Sequence, residues 1–187
     1  MPRIYGRILR LILFLGLAAS PAGAAESQGL LEVHIKDHRE AIGDFDRLTL
    51  TIGEILISPK PGVKFWQISW KSLAAASESI DLTRYAGKNS ARVYRGSVET
   101  GSFDAIHLKL KAVTGLLKKS SRQPQIKNTV GPIKLPFEVR PRGETKIVLD
   151  LVVMDMSDHP QRGYELAVKG YELYTNGKLV DKIPPGS

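Results

Sequence analysis

Alternation of apolar and polar residues with a period of two is the feature that most constrains the fold of this 187-residue chain. Leu31, Val33 and Ile35 alternate with charged or polar residues, and the same pattern recurs over 106–111 and 133–140. Successive side chains of an extended strand point to opposite faces, so the pattern predicts strands with one buried face. Helical spacing is scarce.

Turn signals between these segments indicate how the strands are connected. Asn176-Gly177 lies between two strand-like segments and predicts a two-residue hairpin. The segment 115–131 is interpreted as a hairpin connection with a basic tip, and short helical turns are predicted around Ser72–Ala76 and Asp81–Tyr85. Many short strands separated by turns predict an all-β, antiparallel two-sheet sandwich with one or two short helical turns.

Two strand-like segments carry further information. The segment 48–57 changes the phase of its apolar residues around Gly53, which predicts a bulge there. The segment 145–156 is apolar on both faces, which predicts a central strand.

The N-terminus has the three parts of a secretion signal in the expected order. Arg3, Arg7 and Arg10 precede the apolar run 11–19, which is followed by small residues ending in Ala22-Gly23-Ala24. The run is shorter than the roughly 20 residues that span a bilayer. We expect 1–24 to be a signal peptide and 25–187 a single domain, periplasmic or secreted, with no transmembrane anchor in the mature form.

The absence of cysteine excludes several kinds of chemistry. The chain has no disulfide, no thiolate metal ligand, no cysteine nucleophile and no cysteine for lipidation. No nucleophile elbow, zinc-protease helix or Gly-rich phosphate loop occurs in the sequence. These observations favour a non-enzymatic protein, and a hydrolase with unrecognised carboxylates is the weaker alternative.

Basic residues and tryptophans are the candidate binding residues. The formal net charge is +8, and three of the positive charges lie in the predicted signal peptide. Candidate ligand contacts are Lys109, Lys111, Lys118, Lys119, Arg122, Trp66 and Trp70. Such a surface suits an anionic glycan or another envelope component. Because aromatic residues do not interleave with the lysines, we expect no nucleic-acid partner.

A metal site is the alternative that the sequence offers. Met154, Met156 and His159 supply two thioethers and an imidazole, which suit copper. Two methionines on one face of a strand also suit a core. Asp150, with Asp155 and Asp158, could attract calcium, but the spacing of an EF-hand is missing. We prefer a structural role for Asp150, such as capping a turn or meeting a buried lysine.

The histidines offer weaker evidence for a metal. His34 and His38 would lie about 13 Å apart along a strand, too far to share one ion. The preferred hypothesis requires no cofactor.

The order of several motifs resembles that of a known family of exported domains. The motifs are an opening strand ending in aspartate at 29–37, the Asp-Leu turn at 81–85, the strands 101–108 and 135–139, and the closing strand at 164–166. Together they resemble the domain of unknown function DUF4382 over roughly 29–171. This resemblance implies a transthyretin-like, or prealbumin-like, β-sandwich and an exported location, but no activity. The preferred hypothesis is therefore an exported binding or adhesion module, with periplasmic copper binding as the alternative.

The signal peptide can be tested by the mass of the released protein. We expect the full chain, expressed in an exporting bacterial host, to appear in the periplasm or medium with Ala25 as its first residue. Intact-mass spectrometry measures this directly. Ala24→Leu should block cleavage, because signal peptidase requires a small residue at that position. Release of a chain that retains residues 1–24 would contradict the assignment.

Overall fold

A computed structural model describes residues 27–60, 69–76, 78–157 and 163–183, and this part of the chain is almost entirely β-structure. Two short 3₁₀ helices span Ala41–Asp44 and Leu82–Tyr85. The strands, in chain order, are β1 Gln28–Asp37, β2 Phe45–Pro59, β3 Lys71–Leu73, β4 Ser79–Asp81, β5 Ala91–Glu99, β6 Gly101–Leu117, β7 Ile126–Asn128, β8 Ile133–Val139, β9 Glu144–Asp155, β10 Tyr164–Thr175 and β11 Lys178–Ile183.

The strands form two sheets that enclose one hydrophobic core. Sheet A has the order β11-β10-β9-β1-β5, with β7 beside β10, and sheet B has the order β3-β2-β6-β8, with β4 beside β2. Apolar residues from both sheets belong to a single buried cluster. The predicted all-β, two-sheet fold is therefore confirmed.

The period-two pattern gives the strands their buried and exposed faces. In β1 the side chains of Leu31, Val33 and Ile35 are fully buried in the core. In β9 both faces are buried between Ile147 and Val153, as expected for a strand in the middle of a sheet. The predicted central position of this segment is confirmed.

Sheet A contains parallel as well as antiparallel pairs. β1 pairs with β5 in antiparallel and with β9 in parallel orientation, and β7 pairs in parallel with β10. A period of two is the same in both arrangements, so the sequence pattern does not distinguish them. The long path from β1 through sheet B to β9 supplies the connection that parallel neighbours need.

Several local predictions can be compared with the backbone. The pairing of β2 with β6 shifts register on both sides of Ile52, next to Gly53, as the change of phase predicted. Asn176 and Gly177 form the hairpin turn with φ of 49° and 75°. The 3₁₀ helix Leu82–Tyr85 lies within the predicted turn at 81–85, and the Asp81 side chain accepts a hydrogen bond from Thr83 N–H.

One local prediction was wrong. The segment Ser72–Ala76 is not a helical turn but begins within β3, where Ser72 and Leu73 pair with β2. The segment 115–131 leads from β6 to its antiparallel neighbour β8, as a hairpin connection does, but β7 within it pairs with β10 in sheet A. This excursion to the other sheet was not predicted.

The predicted signal peptide lies outside the described residues. None of the helices in the described ranges has the length and apolar character needed to cross a membrane.

Gly115 is a close-packing position that can be tested. A Cβ atom there would collide with the Phe45 ring and come 2.8 Å from Ile126 Cδ1. We expect Gly115→Ala to lower the free energy of unfolding by about 1–3 kcal/mol, since overpacking forces neighbouring side chains to move. Urea unfolding monitored by circular dichroism measures the change. Gly43→Ala is the control, because nothing lies within 4 Å of its added Cβ, and an equal effect of both variants would contradict this explanation.

Candidate functional site

The five predicted basic residues lie along β6 and the turn that follows it. Lys109 and Lys111 are exposed on β6, and Lys118, Lys119 and Arg122 are exposed just beyond its end. Nine residues separate Lys109 from Lys118, which corresponds to roughly 30 Å of extended strand. The predicted residues therefore form a strip and not a compact cluster.

Two of these five cations already have partners. Lys109 Nζ lies 3.1 Å from Glu54 Oε2, and Lys118 Nζ donates a hydrogen bond to the Gly43 carbonyl at 2.9 Å. Lys111, Lys119 and Arg122 have no acidic partner among the described residues. These three are the most available cations of the strip.

Arg47 extends the strip on the neighbouring strand and was missed by the sequence analysis. It is exposed on β2 opposite Leu116, and it lines a depression of about 220 Å³ together with Thr49, Thr114 and Gln123. Because it precedes the apolar alternation of β2, the pattern gave no reason to single it out. We call Arg47, Lys109, Lys111, Lys119 and Arg122 the basic face.

The two tryptophans have different outcomes. Trp66 lies outside the described residues, so its predicted alignment with Trp70 stays a prediction. Trp70 lies just before β3, is 38 % exposed, and places its ring edge-on to His107 at a centroid distance of 6.3 Å. Burial, with a smaller contribution from Lys109, lowers the pKa of His107. A neutral imidazole beside the indole adds no charge to the basic face.

The copper residues are only partly described. Met154 is half-buried opposite Glu165, and Met156 is half-buried beyond the end of β9, where its N–H bonds to the Gly163 carbonyl. His159 lies outside the described residues. Within residues 27–60, 69–76, 78–157 and 163–183, no three His, Cys, Asp or Glu side chains are placed to hold a metal ion. The copper and calcium assignments stay predictions.

The outer face of sheet A carries a network of paired charges around Glu32. His34 Nε2 lies 3.0 Å from Glu32 Oε2, and the guanidinium groups of Arg95 and Arg92 lie 3.2 and 3.8 Å from Glu32 Oε1. His34 Nδ1 is 3.1 Å from Ser90 Oγ. His34 therefore contacts Glu32 and Ser90, whereas His38 contacts Asp150.

A second part of this network surrounds Lys36. Its ammonium lies 2.9 Å from Glu172 Oε1 and 3.8 Å from Asp150 Oδ2. The predicted contact of Asp150 with a buried lysine is confirmed, since only 13 % of the Lys36 side chain is exposed. Tyr174 and Lys182 also contact Glu172, at 2.7 and 3.3 Å.

The hydrogen bonds of Glu172 determine its ionisation. Burial raises its pKa, but hydrogen bonds from Lys36, Tyr174 and Lys182 outweigh burial and bring the pKa down to about 2. Glu172 is therefore ionised at neutral pH. On the outer face of sheet A, Lys36, Glu172 and Asp150 therefore each have an oppositely charged neighbour.

Asp37, at the end of β1, is an exception to this pairing. It is fully buried, its Oδ1 accepts the Arg39 N–H at 2.7 Å, and its Oδ2 has no hydrogen-bond partner. It lines a basin of about 260 Å³ with Asp150 and His38, whose Nδ1 lies 3.5 Å from Asp150 Oδ2. Burial raises the pKa of Asp37 to about 6, assisted by the charge of Asp150 and opposed by the Arg39 N–H.

The fold and its surfaces define a two-sheet β-sandwich domain with one internally paired charged face and one exposed basic face. The chain belongs to the family described as Domain of unknown function (DUF4382), whose model matches residues 28–167. The family resemblance of the motifs is thereby confirmed. Comparison with curated proteins and with solved structures gives no match.

The ionisation of Asp37 predicts a measurable pH dependence of stability. Its pKa is about 6 in the folded protein against 3.8 when exposed, so ionisation opposes folding. Ionisation of Asp37 has no effect on stability below pH 3.8. As the pH rises from about 4 to about 6, it lowers the free energy of unfolding by about 3 kcal/mol at most. Asp37→Asn should remove this loss between pH 4 and pH 7 in urea unfolding experiments.

Asp46→Asn is the matched control, because Asp46 is exposed and lies outside the buried strand end. It should leave the pH dependence unchanged. Identical pH profiles for Asp37→Asn and the unsubstituted protein would show that Asp37 does not carry this effect.

Proposed function

We propose that the protein is an exported binding module whose basic face holds an acidic polysaccharide of the cell envelope or its surroundings. The single observation that carries this proposal is the exposure of Arg47, Lys111, Lys119 and Arg122 with no acidic partner among the described residues. Exposed cations keep their hydration until a polyanion replaces it and releases its own counterions.

The contrast between the two sheets supports the choice of surface. On sheet A, each of Glu32, Glu172 and Asp150 pairs with at least one neighbouring cation. On the basic face Glu54 neutralises Lys109 alone. An anionic ligand would therefore meet exposed cations on sheet B that form no ion pair among the described residues.

The shape of the basic face favours a polymer over a small ion. The cations are distributed over roughly 30 Å of strand and turn, whereas a small anion needs converging groups. Thr49 on β2 and Thr114 on β6 lie directly opposite each other, close to Arg47. They offer hydroxyl groups to a polar chain. Repeated carboxylates of a uronic-acid polymer fit such a spacing.

Export is part of the proposal. The signal peptide predicted over 1–24 would deliver residues 25–187 to the periplasm or the medium, where acidic polysaccharides occur. Binding without catalysis is consistent with the absence of a catalytic motif in the sequence.

Binding to a defined acidic polymer tests the proposed function. We expect residues 25–187 to bind polygalacturonate with an affinity that falls steeply as salt rises, since counterion release drives the association. The triple variant Lys111→Gln/Lys119→Gln/Arg122→Gln should bind roughly tenfold or more weakly at low salt and show a shallower salt dependence. Isothermal titration calorimetry over a series of salt concentrations measures both.

The matched control removes the same charge elsewhere. Arg84→Gln/Lys88→Gln/Lys178→Gln changes three exposed cations outside the basic face and should retain most of the affinity. Equal losses in both triple variants would indicate an effect of net charge only. Binding that is independent of salt, or no binding to polygalacturonate, would refute the proposal.

A further inference from the structure

A groove of about 680 Å³ lies between the edge of sheet B and the β10–β11 hairpin of sheet A. β8 is the edge strand of sheet B, and β11 is the edge strand of sheet A. The groove is separate from the basic face, none of whose residues line it. Its volume falls in the range of small-molecule sites, about 300–1,000 Å³.

The floor of the groove is apolar and aromatic. The Phe103 and Phe137 rings stack with their centroids 4.9 Å apart and their planes 13° from parallel. Leu173 from β10 and Val180 from β11 form the opposite wall. Val180 is 54 % exposed, whereas Phe103, Phe137 and Leu173 are almost completely buried. Val180 is therefore the side chain of this group that a ligand would chiefly remove from water.

Two lysines, Lys60 and Lys134, contribute positive charge to the groove. Lys60 is held at the end of β2 by a hydrogen bond from its N–H to the Ser102 carbonyl at 2.8 Å, and Lys134 lies on β8 opposite Ala105. Neither ammonium has an acidic partner among the described residues.

The remaining charges of the groove reduce the excess of positive charge but do not remove it. Arg140 and Glu138 form an ion pair at 2.9 Å and neutralise each other, and Asp104 is the other carboxylate of the lining. The groove therefore has a net charge of +1.

We propose that this groove binds a small amphipathic anion, with an apolar body against Phe103, Phe137, Leu173 and Val180 and a carboxylate at Lys60 and Lys134. The charge complementarity of the two unpaired lysines selects an anionic head group. The apolar floor between them and β11 selects an alkyl or aromatic body.

An added peptide strand fits the groove less well than a small anion. Pro136 lies in the middle of β8 and has no N–H for a new ladder, and Lys134 on the same strand discourages edge pairing. The apolar wall and the cations remain accessible without any pairing of backbones.

Displacement of a fluorescent anion tests the site. We expect 8-anilinonaphthalene-1-sulfonate to bind the folded protein with increased fluorescence and to be displaced by decanoate more effectively than by the uncharged decanol. Benzoate tests whether an aromatic body replaces the alkyl chain. Val180→Glu should weaken decanoate binding about tenfold or more, because it puts a carboxylate on the apolar wall.

Leu179→Glu is the matched control for this substitution. Leu179 is also a large, exposed apolar residue of β11, but it does not line the groove. The affinity of the Leu179→Glu variant for decanoate should therefore be unchanged. Equal loss in both variants, with thermal unfolding showing that both are folded, would overturn the proposed location.

The lysines are tested independently of the apolar wall. Lys60→Gln/Lys134→Gln should lower the affinity for decanoate about tenfold and leave that for decanol unchanged, since charged hydrogen bonds are lost only with the anion. Arg84→Gln/Lys178→Gln should change neither. Unchanged decanoate binding in Lys60→Gln/Lys134→Gln would refute recognition of the anion.

Two further results would also refute the proposal. A change from dimer to monomer on Val180→Glu, measured by analytical ultracentrifugation, would show that a second copy covers the groove. Decanoate binding that is lost in Lys111→Gln/Lys119→Gln/Arg122→Gln would place the anion on the basic face. Because the groove and the basic face share no residue, polygalacturonate binding and decanoate binding can each fail alone.

Discussion

Burial of the inner faces of two sheets in one core is the interaction on which the rest of this structure depends. The chain has no cysteine to cross-link it, so apolar burial must offset the conformational entropy of ordering the strands. β9 contributes most directly, since Ile147, Leu149, Leu151 and Val153 are almost completely buried. Its parallel neighbour β1 adds Leu31, Val33 and Ile35 to the same core.

The outer faces of the two sheets differ in whether their charged side chains form ion pairs. On sheet A, Lys36 and Glu172 lie on β1 and β10, and β9 between them supplies Asp150. These half-buried charges are tolerated because each has an opposite charge nearby. On sheet B, Lys111 and Arg47 remain exposed to water, where an unpaired cation costs little. The face with paired charges and the basic face are therefore separate.

The sequence predicted the strands better than their arrangement. Alternation located the buried residues of β1 and β8 and the irregularity at Gly53, and the Asn176-Gly177 dipeptide located a turn, because these features depend on local backbone geometry. Alternation also predicted that Lys109 and Lys111 are exposed. It could not give Arg47, whose place beside the strip depends on the pairing of β2 with β6. The groove could not be predicted either, since Lys60 follows β2, Lys134 lies on β8 and Val180 lies on β11 of the other sheet.

The sequence by itself was enough to predict the class of fold and the signal peptide, because both depend on local patterns. It was also enough to show the family resemblance, which depends on the order of motifs. The tertiary structure decided which strands are neighbours, that β1 runs parallel to β9, and which charges find partners. Ion pairs such as that of Lys36 with Glu172 join residues far apart in the chain. Period-two alternation fixes the face of a side chain, but only the order and register of the strands fix what lies beside it.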